Sequence, residues 1–361
     1  MKFPGWDKGF TADSWGRLFW AFSILSISAI YVSLPFETFL RQPFWDLSVY
    51  QANFESGYPE QRLYLLNDQF DHVASLAEEH LWIAAVVLGR EVLGSYDAMF
   101  TAVSFFSCVV ILAVMIRSTG WPIALMMLAH PWMAGLLMSQ IRSALAISLV
   151  YAAWRWHDLL VIDPKGEGLL KLPSNESGTE VIGSPSWLWI PRTILLIAAC
   201  YIHTAMTLMI SCILAGYVVH KISQNKTWVA IAFMWGFVAL VTFALSAGRQ
   251  EILGSIADRR AEYEVVPMAL SELIIWGPLL VLFAVMPKPY IHRPESVFAV
   301  ICLSVFLFTA HFGVPASRVF IVSMPFFLGA ILCFRGVEKT MALTWVFLTS
   351  FLYLRSNYAL I

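Results

Sequence analysis

The sequence consists largely of apolar blocks of about 20 residues that recur along its whole length, and a helix of that length crosses the ~30 Å core of a bilayer. Only 13% of the 361 residues are charged, against about a quarter in a soluble domain. The blocks lack the in/out alternation of a membrane barrel, so helices must satisfy the backbone in lipid. We therefore predict an all-α, polytopic membrane protein with about ten or eleven transmembrane helices.

The predicted membrane helices are bounded by turn residues or charges. They cover 18–36, 98–116, 121–139, 143–160, 188–202, 204–220, 228–247, 268–287, 296–314, 316–334 and 341–358. The apolar run from Pro191 to His220 is long for one span, and the polar pair His203-Thr204 interrupts it. We divide the run there; a single long, tilted helix is the alternative.

Lysine and arginine in short loops indicate which side of the protein faces the cytoplasm. With the N-terminus inside, every predicted inner segment is basic. These segments hold Lys2, Lys8 and Arg17, then Arg117, Lys165 and Lys171, Lys221 and Lys226, Lys288 and Arg293, and Arg335 and Lys339. Residues 1–361 are then one transmembrane domain with alternating inner and outer turns.

Three stretches do not cross the membrane in this prediction. Residues 37–97 form an outer segment that contains an amphipathic, interfacial helix between Leu76 and Leu93. Residues 161–187 are rich in Gly, Pro and Ser and form a flexible cytoplasmic loop. Residues 248–267 form an outer loop dense in charge.

Several classes of function lack their sequence signature. The formal net charge is −1 and no basic block is present, which argues against nucleic-acid binding. The five cysteines have neither zinc-site nor disulfide-framework spacing. The chain has no P-loop, Gly-x-Ser-x-Gly or Asp-x-Asp motif. We expect neither a metal nor another cofactor.

Arginines collect at the predicted outer ends of the helices, where positive-inside sorting predicts few of them. They are Arg142, Arg249, Arg259, Arg260 and Arg318, with His203 and His311 at the same level. Charges near hydrocarbon are usually kept for function, and the planar guanidinium holds two phosphate oxygens at once. The pattern indicates a site for an anionic lipid headgroup, such as a diphosphate.

A purely structural role is the alternative for each of these residues. Arg142 could snorkel to the interface, and His203 could be a core histidine with its hydrogen bonds satisfied. Arg318 could anchor a helix end, and the arginines of 248–267 could form salt bridges in solvent. Asp46 and Glu79 are either loop carboxylates or, among their aromatic neighbours, buried acids of the same site.

Five short motifs follow one another in the order and spacing of a known family. They are Asp-x-x-x-Tyr at 46–50, a glutamate opening a helix at Glu79, an arginine-led helix at Arg142, His203-Thr204, and the late Arg318. Along most of its length the chain thus resembles the EpsG/Wzy family of bacterial polysaccharide polymerases. One departure is Ala144, where the family often has glycine.

The resemblance implies a GT-C-like glycosyltransferase at the outer face of the bacterial cytoplasmic membrane. Donor and acceptor would be oligosaccharides on undecaprenyl diphosphate, and a chain-length regulator is a candidate partner. Arg142 and Arg318 would bind the diphosphate, helped by Arg249, Arg259 or Arg260. Glu79 or His203 would be the base, and Asp46 would position the sugar or the base.

Three alternatives share parts of this pattern. An O-antigen ligase or a polyprenyl-phosphate-sugar transferase would use the same arginines with another acceptor. A flippase for the lipid-linked sugar would also need cations, but along a path through the bilayer, whereas the charges here lie at the outer end. A membrane acyltransferase using His203 would need a second acid or histidine on the cytoplasmic side, and the sequence offers none.

Overall fold

A computed structural model of the chain describes residues 12–39, 45–68, 79–154, 189–247, 270–311 and 317–357. The secondary structure of this described part is entirely helical. Its helices are α1 (Ala12–Val32), α2 (Phe36–Phe39), α3 (Trp45–Glu55), α4 (Tyr58–Asp68), α5 (His80–Leu93), α6 (Tyr96–Thr119), α7 (Trp121–Leu128), α8 (Pro131–Ala134), a π-helix (Gly135–Ser139), α9 (Ile141–Trp154), α10 (Trp189–Ile202), α11 (Ala205–Ser223), α12 (Thr227–Ser246), α13 (Leu270–Val285), α14 (Lys288–Ile291), α15 (Pro294–His311), α16 (Ser317–Ile321), α17 (Met324–Leu332) and α18 (Gly336–Asn357).

Three described helices are long and apolar enough to cross a membrane: α6, α11 and α12. A fourth span is possible if Trp121–Leu128 and Pro131–Ser139, which are bent by 69° to one another, cross together. Further apolar helices of 10 to 17 residues lie at Leu18–Val32, Ile141–Trp154, Trp189–Ile202, Glu272–Val285 and Pro294–Ala310. The all-α class is confirmed, and the full count of ten or eleven crossings stays a prediction.

Two of the predicted membrane helices are each broken into shorter helices in the structure. The helix expected at 121–139 breaks at Ala129-His130, and the one expected at 316–334 breaks at Val322-Ser323. A break frees backbone carbonyls, which must find other partners inside an apolar protein. Side-chain hydroxyls supply them: Tyr31 donates to the Leu128 carbonyl at 2.9 Å, and Tyr151 donates to the Val322 carbonyl. In the π-helix, Ser104 donates to the Leu137 carbonyl at 2.8 Å. The breaks are therefore fixed features of the packing.

Helix α15 is the centre of the bundle. Residues 297–305 are all buried, and the helix packs against α11, α12, α13 and α17. A helix that is apolar on every side belongs either in a protein core or in a membrane, and α15 lies in the core. At the periphery, by contrast, only 22% of the most apolar window of α12 is buried within the protein. Its outward face carries Trp228, Leu240 and Phe243, an apolar surface suited to lipid.

The predicted division at His203 is confirmed, because α10 ends at Ile202 and α11 begins at Ala205. Both helices lie against α9. At the far end of α9, the Trp154 indole donates to the Tyr217 hydroxyl of α11 at 2.6 Å. The chain therefore reverses direction at His203-Thr204, and the single long helix is excluded.

The described part of the outer segment folds onto the bundle. Helix α5 occupies His80–Leu93, where the sequence has its amphipathic stretch, and buries Trp82 and Val86. Arg90 of α5 forms an ion pair with Glu60 of α4. The predicted loops 161–187 and 248–267 lie outside the described residues.

Candidate functional site

Glu79 is the centre of a buried polar cluster at the start of α5. Its two carboxylate oxygens receive three side-chain donors. Arg142 donates to Oε2, the Nδ1 atom of His203 lies 2.6 Å from Oε1, and the Thr204 hydroxyl donates to Oε1 at 3.4 Å. A carboxylate with a guanidinium and further donors on it is held strongly in its ionised form. We call Glu79, Arg142 and His203 the outer triad, after the face of the membrane to which the sequence prediction assigns them.

The backbone at Glu79 is strained. Its φ of 57° and ψ of 47° are left-handed, and Glu79 is the only described residue other than glycine with positive φ. An L-residue with a Cβ pays for this conformation, so it persists only when its surroundings require it. Here the conformation lets the side chain face Arg142 and His203 while α5 continues away from them.

Arg142 reaches the cluster because the chain bends immediately before it. The π-helix Gly135–Ser139 ends, Gln140 adopts a φ of −88° and a ψ of 48°, and α9 begins at Ile141. The Arg142 side chain is only 12% exposed. Its Nη1 binds Glu79, but its Nε is buried and has no hydrogen-bond partner among the described residues. This N–H group is therefore not used within the described part of the chain.

His203 lies in the turn between α10 and α11 and is buried. Its main-chain N–H still donates to the Ala199 carbonyl, so the turn holds the ring rigidly against Glu79. With the carboxylate at Nδ1, the favoured neutral tautomer carries its proton on Nδ1 and its lone pair on Nε2. A carboxylate that orients a histidine in this way prepares the other ring nitrogen to accept a proton.

Asp46 and Arg318 form a second pair beside the triad. The Nη2 atom of Arg318 donates to Oδ2 of Asp46 at 2.8 Å, and the two side chains are 44% and 27% exposed. Arg318 stands near the start of α16, and Asp46 lies in the first turn of α3. This pair is more accessible to solvent than the buried triad.

Tyr50 connects the pair to the triad. It stands four residues after Asp46, on the same face of α3. The Cζ atom of Arg142 lies 6.0 Å from the centre of its ring, within cation–π range. Burial raises the pKa of the Tyr50 hydroxyl, while the nearby charges of Arg142 and Arg318 partly oppose this rise. The phenol therefore stays protonated and can donate a hydrogen bond.

The structure brings together five residues that the sequence predicted for the site: Asp46, Glu79, Arg142, His203 and Arg318. Arg249, Arg259 and Arg260 lie outside the described residues. His311 is the last residue of α15, and its side chain is not described.

Sequence reasoning did not assign a role to Tyr50, Thr204 or Gln140. For Tyr50, the signal in the sequence was its spacing of four residues from Asp46, which puts both on one face of a helix. Thr204 was visible as the polar neighbour of His203. Gln140 had no signal; its side-chain oxygen is buried without a hydrogen-bond partner in the described part of the chain, as is the Nε of Arg142.

The described residues contain no group of three His, Cys, Asp or Glu side chains that could hold a metal ion. Comparison with family models, curated proteins and solved structures gives no match to this chain. The assignment of a function therefore depends on the chemistry of the cluster. The cluster combines two arginines, each paired with a carboxylate, and a histidine held against Glu79.

Proposed function

We propose that the chain is a multi-pass membrane glycosyltransferase that polymerises lipid-linked oligosaccharide repeat units. Its donor and acceptor would both be glycans on undecaprenyl diphosphate, at the outer face of the bacterial cytoplasmic membrane. The observation that carries the proposal is the outer triad. Glu79, Arg142 and His203 are far apart in sequence, yet they form one hydrogen-bonded cluster with a base, an orienting acid and an anion-binding group.

In the proposed reaction, a sugar hydroxyl of the acceptor attacks the anomeric carbon of the donor glycan. The new glycosidic C–O bond forms as the bond from that carbon to the diphosphate breaks, and undecaprenyl diphosphate leaves with the bonding electrons. The hydroxyl proton passes to Nε2 of His203, where Glu79 stabilises the resulting imidazolium. This division of labour makes His203 the base and Glu79 its positioning carboxylate.

Glu79 is less suited to be the base itself. Its oxygens already accept from Arg142, His203 and Thr204. Donors on a carboxylate stabilise its charge and lower its affinity for a proton. Of the two candidates that the sequence left open, His203 therefore fits the role better.

The arginines would stabilise the negative charge that develops on the leaving diphosphate. Arg142 would act from a position that is only 12% exposed, where a charge-assisted hydrogen bond is strong. Arg318 is more exposed and could move from Asp46 to a phosphate oxygen as the headgroup enters. The expected membrane topology and the GT-C-like architecture belong to the same proposal, supported by the apolar outer faces of helices such as α12.

A reconstituted assay tests the proposal. Purified protein receives a defined undecaprenyl-diphosphate repeat unit without ATP, with and without chelator, and the products are separated on a gel. We expect a ladder of repeat lengths that Arg142→Ala abolishes. Arg90→Ala is the matched control, because Arg90 forms an exposed ion pair with Glu60 away from the triad.

Each other product pattern points to a different function. Single additions would indicate a ligase or another lipid-linked transferase. Movement of the lipid across proteoliposomes without a covalent product would indicate a flippase. A ladder that Arg142→Ala leaves intact in well-folded protein would remove the triad from the mechanism.

A further inference from the structure

A groove of about 800 Å³ opens on the opposite side of the bundle from the outer triad. It lies between the turn that joins α11 to α12 and the turn that joins α13 to α14. The first wall includes Asn225, Lys226 and Trp228, and the second includes Val285, Pro287 and Lys288. We call it the inner groove, because positive-inside sorting assigns both turns to the cytoplasmic face.

The walls of the inner groove are fixed to one another. The Ser223 hydroxyl, at the end of α11, lies 3.3 Å from the Ile291 carbonyl and 3.1 Å from a ring nitrogen of His292. The Tyr290 hydroxyl donates to the Phe283 carbonyl at 2.9 Å and so fixes the bend between α13 and α14. The groove is thus formed in advance of binding, and little ordering is needed to fill it.

The lining combines an apolar trough with two cations. Lys226 and Lys288 are both exposed, one on each wall, and no carboxylate is among the lining residues that the structure describes. Trp228 is 78% exposed at the start of α12. An exposed indole at a helix end is typical of the level of the lipid headgroups. Apolar walls below that level suit an acyl chain, and two ammonium groups at that level suit a phosphate.

We infer that the inner groove binds an anionic glycerophospholipid of the inner leaflet. Its phosphate would lie between Lys226 and Lys288, and its acyl chain along the apolar wall that includes Val285. The inference goes beyond the proposed function and depends only on the chain being a membrane protein with the predicted orientation. Charge complementarity decides the occupant: two lysines with no acid among the described residues of the lining favour an anionic headgroup over a zwitterionic one, and disfavour a second copy of the same positively charged groove.

Lipid binding to the full-length, delipidated protein tests the inference. Phosphatidylglycerol and phosphatidylcholine with the same acyl chains are titrated separately and followed by native mass spectrometry. Each lysine near the surface contributes about fivefold in affinity for anionic lipid, so Lys226→Gln with Lys288→Gln should weaken phosphatidylglycerol binding by about 30-fold. The double variant Lys226→Arg with Lys288→Arg should keep the affinity, because it keeps both charges.

Lys221→Gln with Lys339→Gln is the matched control. It removes the same charge from basic residues of the predicted inner face that do not line the groove, and should bind phosphatidylglycerol within twofold of the unmodified protein. Equal losses in the two glutamine double variants would overturn the inference, since they would reflect overall charge. Equal binding of the two lipids, or a dimer that occupies the groove and excludes lipid, would overturn it as well. None of these outcomes depends on polymerase activity.

Discussion

The Nδ1 atom of His203 lies 2.6 Å from Oε1 of Glu79, although the two residues are 124 positions apart in the chain. Each of the two residues stands at a helix boundary, Glu79 immediately before α5 and His203 between α10 and α11. In the proposed topology, such a position keeps the charge of a side chain out of the hydrocarbon core, where it is costly.

Replacing His203 with Gln should lower the polymerisation rate by about 10²–10⁴-fold, the usual contribution of a general base. Glutamine can still donate a hydrogen bond to Glu79 but cannot accept the proton. The rate of ladder formation at saturating substrate is the measurement. His220→Gln, at the other end of α11, is the control and should react at the normal rate. A His203→Gln protein as fast as this control would assign the proton transfer to another group.

Replacing Glu79 with Gln should destabilise the protein by about 3 kcal/mol, because it leaves the Arg142 charge buried without its counterion. Thermal unfolding in a single detergent measures the change. Glu60→Gln removes a carboxylate from an exposed pair and should shift the midpoint much less.

The double variant Glu79→Gln with Arg142→Gln separates the charge from the packing. It removes both ions, so it should be more stable than Glu79→Gln alone while remaining inactive. If the double variant were the less stable of the two, the buried charge would not be the cause of the loss.

Much of the site could be predicted from the sequence because polar residues in a membrane chain are few and conspicuous. Glu79, Arg142 and His203 all interrupt or border apolar runs, and topology alone sets them at one level. The ion pairs of Arg142 with Glu79 and of Arg318 with Asp46 could not be predicted in this way. Arg142 and Arg318 were expected to await a phosphate, whereas both bind a carboxylate in the folded protein, because a cation held near hydrocarbon needs a counterion.

The helix breaks were harder to predict than the helices. An apolar window has the same composition whether the helix inside it is straight or bent, so hydropathy cannot distinguish the two. Local signals were present: Pro131 and Pro325 each stand in the first turn after a break, where proline is favoured. The hydroxyl groups that complete the breaks, such as that of Tyr151, come from distant helices and are visible only in the fold.

The Asp46–Arg318 pair should contribute to activity more than to stability. Because both side chains are partly exposed, Arg318→Ala should change the free energy of unfolding by less than about 1 kcal/mol. The same change should slow polymerisation by about 10²–10³-fold if Arg318 stabilises the departing diphosphate. The polymerisation rate of Arg318→Lys should lie between those of Arg318→Ala and the unmodified protein, since lysine keeps the charge but loses the planar fork. Normal rates for both variants would show that Arg318 only anchors α16.

Gly216 should tolerate no side chain, because α11 and α15 touch there. A Cβ atom at Gly216 would lie 2.7 Å from the Pro294 carbonyl oxygen, so the backbone of α15 would have to move. Small residues allow such close approach between membrane helices. Gly216→Ala should therefore destabilise the protein by about 1–3 kcal/mol, the usual effect of overpacking.

Gly236→Ala is a matched control in α12, where a Cβ meets nothing within 4 Å. There the better helix propensity of alanine should leave stability unchanged or raise it. Unfolding midpoints of the two variants in one detergent decide the matter, and equal midpoints would contradict the close packing of α11 on α15.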